Sequence, residues 1–216
     1  MEKTKLIKQN LVQIIMNDDQ VKEMMILNLI KMLNSRNIID KNNISMYTSL
    51  AYTQINQNDE TYFDLNNEET NRLGSNKIHI KFINRKITTI RKVIDIENFM
   101  DNVEYKFVIV KQIAPKAINQ IIDYKNTELF YDIDLQINLI DHIFVPKHYK
   151  LSPDEIQNLI ESYKFNPKNA KRMYLDDPIS KYYNLKIDDI VRIERPSKNS
   201  GISIDYRVVF PGSIYK

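Results

Sequence analysis

The chain has 216 residues, a mass of 25.7 kDa, a net charge of +3 and an ordinary globular composition, with 43% hydrophobic and 27% charged residues. It contains no cysteine, which excludes a disulfide framework, a cysteine-based zinc site, an iron–sulfur cluster and a cysteine nucleophile. Residues 141–216 carry 13 Lys/Arg and 10 Asp/Glu, whereas residues 1–140 carry 18 of each, a balance unlike that of a stand-alone nucleic-acid-binding domain.

The first third of the chain predicts helices followed by a polar surface segment. Apolar residues recur at three- and four-residue steps over 3–35, which is typical of amphipathic helices. The triplet Asn17-Asp18-Asp19 divides this stretch in two, and Asp18 or Asp19 is the predicted N-cap of the second helix. Residues 44–55 have the composition of a strand, and the Asn-, Thr- and Glu-rich residues 56–76 predict a loop or an exposed hairpin.

The middle of the chain alternates in type. Residues 77–83 alternate polar and apolar side chains, which predicts a strand, and residues 87–100 have helical spacing. The apolar run 107–110 predicts a buried strand, and Pro115 suits the first turn of a helix that continues to about Tyr124. Because strands and helices alternate here, we expect an α/β sheet with helices on it.

The pattern changes near residue 140, where we place a boundary between domains 1–140 and 141–216. Ser152-Pro153-Asp154-Glu155 combines an N-cap, a first-turn proline and a capping-box glutamate, so it predicts a helix to about Tyr163. A short helix is expected after Asp177-Pro178. Residues 189–194 and 202–209 alternate as strands and are joined by a turn-rich link.

Catalytic patterns are sparse. No glycine-rich phosphate loop or metal-ligand spacing of histidines occurs, so we expect no cofactor and no metal. Asp95 followed by Glu104-x-Lys106 has the acid and lysine spacing of Mg²⁺-dependent restriction-type nucleases. Acid-x-Lys is short, however, and about three chance matches are expected at this composition. A stand-alone nuclease therefore enters only as an alternative function.

The last third contains three specific blocks of residues. They are His142-x-x-Val145-Pro146-Lys147-His148-x-x-Leu151-Ser152-x-x-Glu155, Asp177-Pro178-Ile179-x-Lys181-Tyr182-Tyr183-x-Leu185-Lys186, and Val191-Arg192-Ile193-x-Arg195-Pro196-Ser197 with Gly201 and Tyr206-Arg207-Val208-Val209. In order and spacing these blocks closely resemble the assembly domain of the fifth subunit shared by eukaryotic-type DNA-directed RNA polymerases. One of the small subunits of archaeal RNA polymerase consists of this domain alone.

The preceding part resembles the jaw domain of that family. The strand at 107–110, a short link and then Ala114-Pro115-Lys116-Ala117 opening a helix are similar to the Thr-Pro-Ser-Ala turn of the family. The jaw fold is related to restriction-type nucleases. The resemblance implies an α+β protein, with an N-terminal α/β jaw domain on a restriction-endonuclease-like sheet and a small C-terminal α+β assembly domain.

Several positions depart from the family pattern. Asn184 and Asp188 stand at or near usual glycines, and both residue types tolerate a left-handed backbone. Ile202 replaces the usual arginine after Gly201, and Lys171-Arg172-Met173 replaces a Pro-Arg-Ile segment. Isoleucine, asparagine and lysine, which have AT-rich codons, together supply 81 residues. This drift indicates a divergent copy encoded by a large DNA virus, with an AT-rich protist as the other source.

The resemblance implies a non-catalytic polymerase subunit that docks on the largest subunit and forms a lower jaw in transcription. We expect partners among the polymerase subunits, weak local contact with downstream duplex DNA and no membrane. The expected location is intracellular: the virion and host cytoplasm for a viral protein, the nucleus for a cellular one. An adaptor in another complex is a further alternative.

Lys111, Pro115 and Lys116 are the candidates for proximity to DNA. The candidate interface residues are His142, Pro146, Lys147, His148, Asp177, Pro178, Tyr182, Tyr183, Arg195, Pro196, Ser197, Tyr206 and Arg207.

Overall fold

A computed structural model describes residues 16–55, 59–90 and 94–212. Within these residues the chain forms two four-stranded sheets with helices packed on them. The helices are α1 Asp18–Ser35, α2 Ile44–Thr53, α3 Asn67–Leu73, α4 Ile94–Met100, α5 Pro115–Ile122, α6 Asp132–Gln136, α7 Pro153–Tyr163 and α8 Pro178–Tyr182. The strands are β1 Glu60–Asp64, β2 Lys77–Ile83, β3 Tyr105–Val110, β4 Thr127–Tyr131, β5 Lys147–Lys150, β6 Lys171–Tyr174, β7 Ile190–Ser197 and β8 Gly201–Phe210.

The first sheet has helices on both faces. Its order is β1-β2-β3-β4, with β1 antiparallel to β2, and with β2, β3 and β4 mutually parallel. Phe107 and Ile109 of β3 pack with α1 and α2, whereas Val108 and Val110 pack with α4 and α5. A strand that is buried on both faces has a continuous run of apolar residues in its sequence, and this run predicted β3. The α/β prediction and the strands at 77–83 and 107–110 are confirmed.

The segment before β2 corrects two predictions. The strand predicted at 44–55 is wrong: residues Ile44–Thr53 form a helix, because Tyr47 and Ala51, four residues apart, lie on the one buried face of α2. The predicted loop or hairpin at 56–76 holds β1 and α3, although residues 56–58 lie outside the described part. Asn66 caps α3 in a capping box with Glu69, whose carboxylate is buried.

Two helix boundaries also differ from expectation. Asn17, rather than Asp18 or Asp19, is the N-cap of α1, and it forms a capping box with Gln20. The first of the two helices predicted within 3–35 falls on residues 1–15, which lie outside the described part. Of the helical spacing predicted at 87–100, residues 94–100 form a helix, the backbone at Ile87 instead forms a parallel bridge with Ile113, and residues 91–93 lie outside the described part.

The second sheet has the order β5-β7-β8-β6, with β6 parallel to β8 and the other pairs antiparallel. Ser152 caps α7 in the predicted capping box, and a tight hairpin joins β7 to β8. The helices at 153–163 and 178–182 and both hairpin strands are confirmed. Asn184 and Asp188 have φ values of 48° and 70°, so both turns keep the left-handed backbone expected of them.

A buried polar joint connects the two sheets. The Arg36 guanidinium donates to both Glu128 carboxylate oxygens, at 2.6 and 2.9 Å, and to the carbonyls of Lys181 and Tyr182 at the end of α8, at 2.9 and 2.8 Å. Tyr105 donates its hydroxyl to Glu128 at 2.5 Å. The strands of the two sheets occupy residues 60–131 and 147–210, so the boundary predicted near residue 140 falls between them.

Candidate subunit interface

A groove on the second sheet gathers four of the predicted interface residues. It has a volume of about 720 Å³ and lies between the segment before β5 and the β7–β8 hairpin. The groove is lined by residues 143–147, 194–196, 201 and 202, and therefore includes Pro146, Lys147, Arg195 and Pro196. Pro146 and Pro196 stand on the two walls of the groove, and a proline ring fixes the backbone φ angle at each of these positions.

The groove also exposes apolar residues that the sequence did not single out. Ile143 and Phe144 are 88% and 87% exposed, and Ile202 on the opposite wall is 60% exposed. The Phe144 ring lies 5.6 Å from the ring of His142, a predicted interface residue. Large apolar side chains clustered at a groove mark a protein-interaction surface. In the sequence, Ile143 and Phe144 belong to an apolar run that ends before Pro146. Such a run is as typical of a core segment as of an exposed one, so it did not predict their exposure.

Next to the groove, the fold brings four predicted residues into one charged cluster. His148 of β5 lies within electrostatic range of Asp177, Arg195 and Arg207, residues up to 59 positions apart in sequence. Burial lowers the pKa of His148, whose Nδ1 lies 2.7 Å from the Pro146 carbonyl. In the described part of the chain, the buried Nε of Arg207 has no hydrogen-bond partner, and the nearest acid, Asp205, lies 3.9 Å away. This cluster therefore contains a buried hydrogen-bond donor that the described residues do not satisfy.

Other predicted interface residues are placed elsewhere. Tyr182 is only 7% exposed and packs in the core of the first sheet, with its hydroxyl 3.2 Å from Ser35. Burial raises the pKa of this tyrosine to about 12. Tyr182 thus lies in the joint between the sheets and not in the groove, and its predicted role as a docking anchor stays a prediction. Tyr183, half-buried, meets it edge-on at 5.1 Å.

Tyr206 and two further predicted residues also lie away from the charged cluster. Tyr206 packs on Phe165 at 5.8 Å, on the sheet face opposite Arg207, because successive side chains of a strand alternate between faces. Pro178 is exposed at the start of α8, and the Ser197 hydroxyl accepts from the Ser200 amide in the hairpin turn at 3.4 Å. These placements leave the groove and the His148 cluster as the compact part of the predicted site.

At the carboxyl end of the first sheet, exposed lysines form a basic edge. Lys111 follows β3 directly, and Lys116 lies exposed in the first turn of α5 behind Pro115. The bridge between Ile87 and Ile113 also brings exposed Lys86 to this edge. Sequence reasoning missed Lys86, because only pairing of two segments more than 20 residues apart places it beside Lys111.

The geometry does not favour the nuclease alternative. Asp95 pairs with the buried Lys81 at 3.0 Å, whereas Glu104 accepts from Ser75 at 2.5 Å, a bond that lowers its pKa. The Lys106 ammonium donates to the backbone carbonyls of Met100, at 2.7 Å, and Asn102, and burial lowers its pKa. Asp95, Glu104 and Lys106, the predicted catalytic residues, therefore each bond to different partners. No group of three or more metal-ligating side chains occurs among the described residues.

Comparison with known proteins now defines the class. A family model for the C-terminal domain of RNA polymerase Rpb5 matches residues 137–209. Subunit 5 of the DNA-directed RNA polymerase of Acanthamoeba polyphaga mimivirus is 33% identical over 197 residues, 89% of this chain and 93% of the viral protein. The subunit rpabc1 of RNA polymerases I, II and III from Dictyostelium discoideum is 30% identical over 127 residues, 56% of this chain and 64% of that protein. RPABC1 of Caenorhabditis elegans is 30% identical over 96 residues, and the match spans 46% of its length.

The chain belongs to the family of subunit 5 of DNA-directed RNA polymerases. The viral relative matches over most of the chain, whereas the two eukaryotic relatives match over about half of it. This difference confirms the predicted kinship with a virus-encoded copy of the shared subunit. Among the described helices, none is long and apolar enough to cross a membrane.

Proposed function

We propose that this protein is a non-catalytic subunit of a multisubunit DNA-directed RNA polymerase and that it docks on the largest subunit through the groove of the second sheet. The observation that carries the docking surface is the convergence of Pro146, Lys147, Arg195 and Pro196 on one groove rimmed by exposed Phe144. Aromatic and arginine side chains in such a setting commonly supply most of the energy of a protein interface. The protein works inside the cell, in the virion and host cytoplasm if a virus encodes it and in the nucleus if a cell does.

Replacing Phe144 by alanine tests this surface. Because Phe144 is 87% exposed, its truncation leaves the fold intact but removes apolar area from the groove. We expect about 2 kcal/mol weaker binding to the purified largest subunit, a loss of roughly 30-fold in affinity. The matched control is Ile94→Ala, which truncates a side chain 76% exposed on α4 of the first sheet. Equal binding by the Phe144 variant and the wild type would show that docking uses another surface.

We further propose that the basic edge of the first sheet lies close to downstream duplex DNA in the assembled enzyme. Lys86, Lys111 and Lys116 are exposed together there, and Pro115 holds the turn between the last two. Each lysine that reaches a phosphate releases condensed counterions, so a few local lysines give a weak, salt-sensitive contact. The contact depends on this local edge, because residues 1–140 carry no net charge.

The double variant Lys86→Glu/Lys116→Glu is expected to weaken binding of downstream DNA by the assembled polymerase. If each lysine contacts one phosphate, the slope of log K against log salt becomes shallower by about 1 per lysine. Lys41→Glu, which reverses an exposed charge just before α2 on the other side of the sheet, provides the matched control. An unchanged salt slope in the double variant removes the basic edge from the DNA-binding surface.

A further inference from the structure

A second cavity lies where the two sheets meet, and we call it the interdomain cleft. Its volume is about 670 Å³. One wall comes from α1, the end of β4 and α6, and the other from residues 137–139 and α8. The floor is apolar and includes Met32, Phe130, Leu135 and Tyr182. The cleft is distinct from the docking groove, and the described lining residues of the two cavities do not overlap.

The mouth of the interdomain cleft combines exposed apolar side chains with an exposed carboxylate. Ile133 and Ile137 are 70% and 69% exposed at its edge. Asp134, on the same helix as Ile133, is also exposed in the lining. A ligand that is apolar with an adjacent positive charge would suit such a mouth, because its cation would pair with Asp134.

Asn138 in the cleft wall supplies an independent indication of a ligand. Its side chain is about nine-tenths buried, and its Oδ1 has no hydrogen-bond partner among the described residues. The orientation of the amide is set, because its Nδ2 donates to Asp141 at 2.8 Å, and the reverse orientation would bring two oxygens together. A buried acceptor without a donor is rare in folded proteins, so a donor entering from the cleft would complete this site.

We infer that the interdomain cleft binds an extended segment of another polymerase subunit, in which a bulky apolar side chain stands next to a lysine or arginine. This inference rests on the proposed role as a polymerase subunit. The apolar side chain would cover the floor, the cation would face Asp134, and a backbone or side-chain N–H would reach Asn138. Because one wall comes from the first domain and α8 of the second domain forms part of the other, such a segment would also hold the jaw at one angle to the assembly domain.

Site-specific photo-crosslinking in the reconstituted polymerase tests the inference. Benzoylphenylalanine is placed at Ile137, at the mouth of the cleft, and separately at Ile94, which is equally exposed on the opposite side of the first sheet. We expect position 137, but not position 94, to crosslink a segment of another subunit that has an apolar residue beside Lys or Arg. In that background, Asp134→Lys is expected to lower the crosslink yield about tenfold, and Asp134→Asn is expected to lower it less.

A third crosslinker position, at Ile143 in the docking groove, separates the two proposals. A crosslink to the largest subunit from Ile143, with no more crosslinking from Ile137 than from Ile94, overturns the cleft proposal and leaves the docking surface standing. Crosslinking to nucleic acid, to a second copy of this chain or to a segment without a basic residue also overturns it. Loss of crosslinking from both Ile143 and Ile137 in an assembled enzyme counts against both proposals.

Discussion

Replacing Arg36 by alanine is expected to lower the free energy of unfolding by about 3–5 kcal/mol. The Arg36 side chain is 4% exposed and forms a two-pronged ion pair with Glu128, while two carbonyls at the end of α8 accept its remaining hydrogen bonds. Removing it leaves the Glu128 carboxylate with neutral donors alone, the Tyr105 hydroxyl and the Asn184 amide, and takes the guanidinium away from both carbonyls. The measurement is chemical unfolding monitored by circular dichroism, for variant and wild type.

Arg72→Ala is the matched control for that experiment. Arg72 also pairs with an aspartate, Asp40, at 3.2 Å, but their side chains are 42% and 51% exposed. An exposed ion pair contributes at most about 1 kcal/mol, because water and salt screen it. Arg36→Lys is expected to restore only part of the loss, since an ammonium cannot bond both carboxylate oxygens and both carbonyls in this planar arrangement. Similar losses for the Arg36 and Arg72 alanine variants would contradict the assigned role of the joint.

Replacing Glu69 by alanine is expected to cost about 3–4 kcal/mol of unfolding free energy. Glu69 has 0% relative exposure, and its carboxylate accepts from the Tyr47 hydroxyl at 2.5 Å, from Asn43 Nδ2 at 3.2 Å and from the Asp40 and Asn66 amides at 3.3 Å. Alanine would leave several hydrogen-bond donors without an acceptor at once. Those bonds tie α2 and α3 to the segment after α1. Thermal unfolding of the purified chain provides the measurement.

The neighbouring residue provides the control for this prediction. Glu68 is 78% exposed, and its contact with Arg72 is 4.0 Å long, so Glu68→Ala is expected to change stability by less than about 0.5 kcal/mol. Glu69→Gln keeps the shape of the side chain but turns one hydrogen-bond acceptor into a donor. Its loss of unfolding free energy is therefore expected to lie between those of Glu68→Ala and Glu69→Ala. If Glu68→Ala and Glu69→Ala unfold at the same temperature, the buried carboxylate does not organise this region.

The elements that were predictable are those whose signals lie within a few neighbouring residues. The start of α7 follows from Ser152, Pro153 and Glu155, and all three act inside one helical turn. The burial of β3 follows from its unbroken apolar run. Residues 44–53 failed as a prediction because their β-branched and aromatic side chains suit strands, whereas packing on α1 selects the helical arrangement.

The same distinction between local signals and tertiary packing applies to the candidate site. By itself the sequence determined the family resemblance, the left-handed turns at Asn184 and Asp188 and the residue types of the docking blocks, since each depends on order and spacing along the chain. Only the tertiary structure decided that Tyr182 faces inward, that Lys86 joins the basic edge and that Arg36 bonds Glu128 across 92 positions. The physical reason is that these contacts need distant segments to be brought together, and the entropy of closing such long loops is repaid only by the packing of the whole fold.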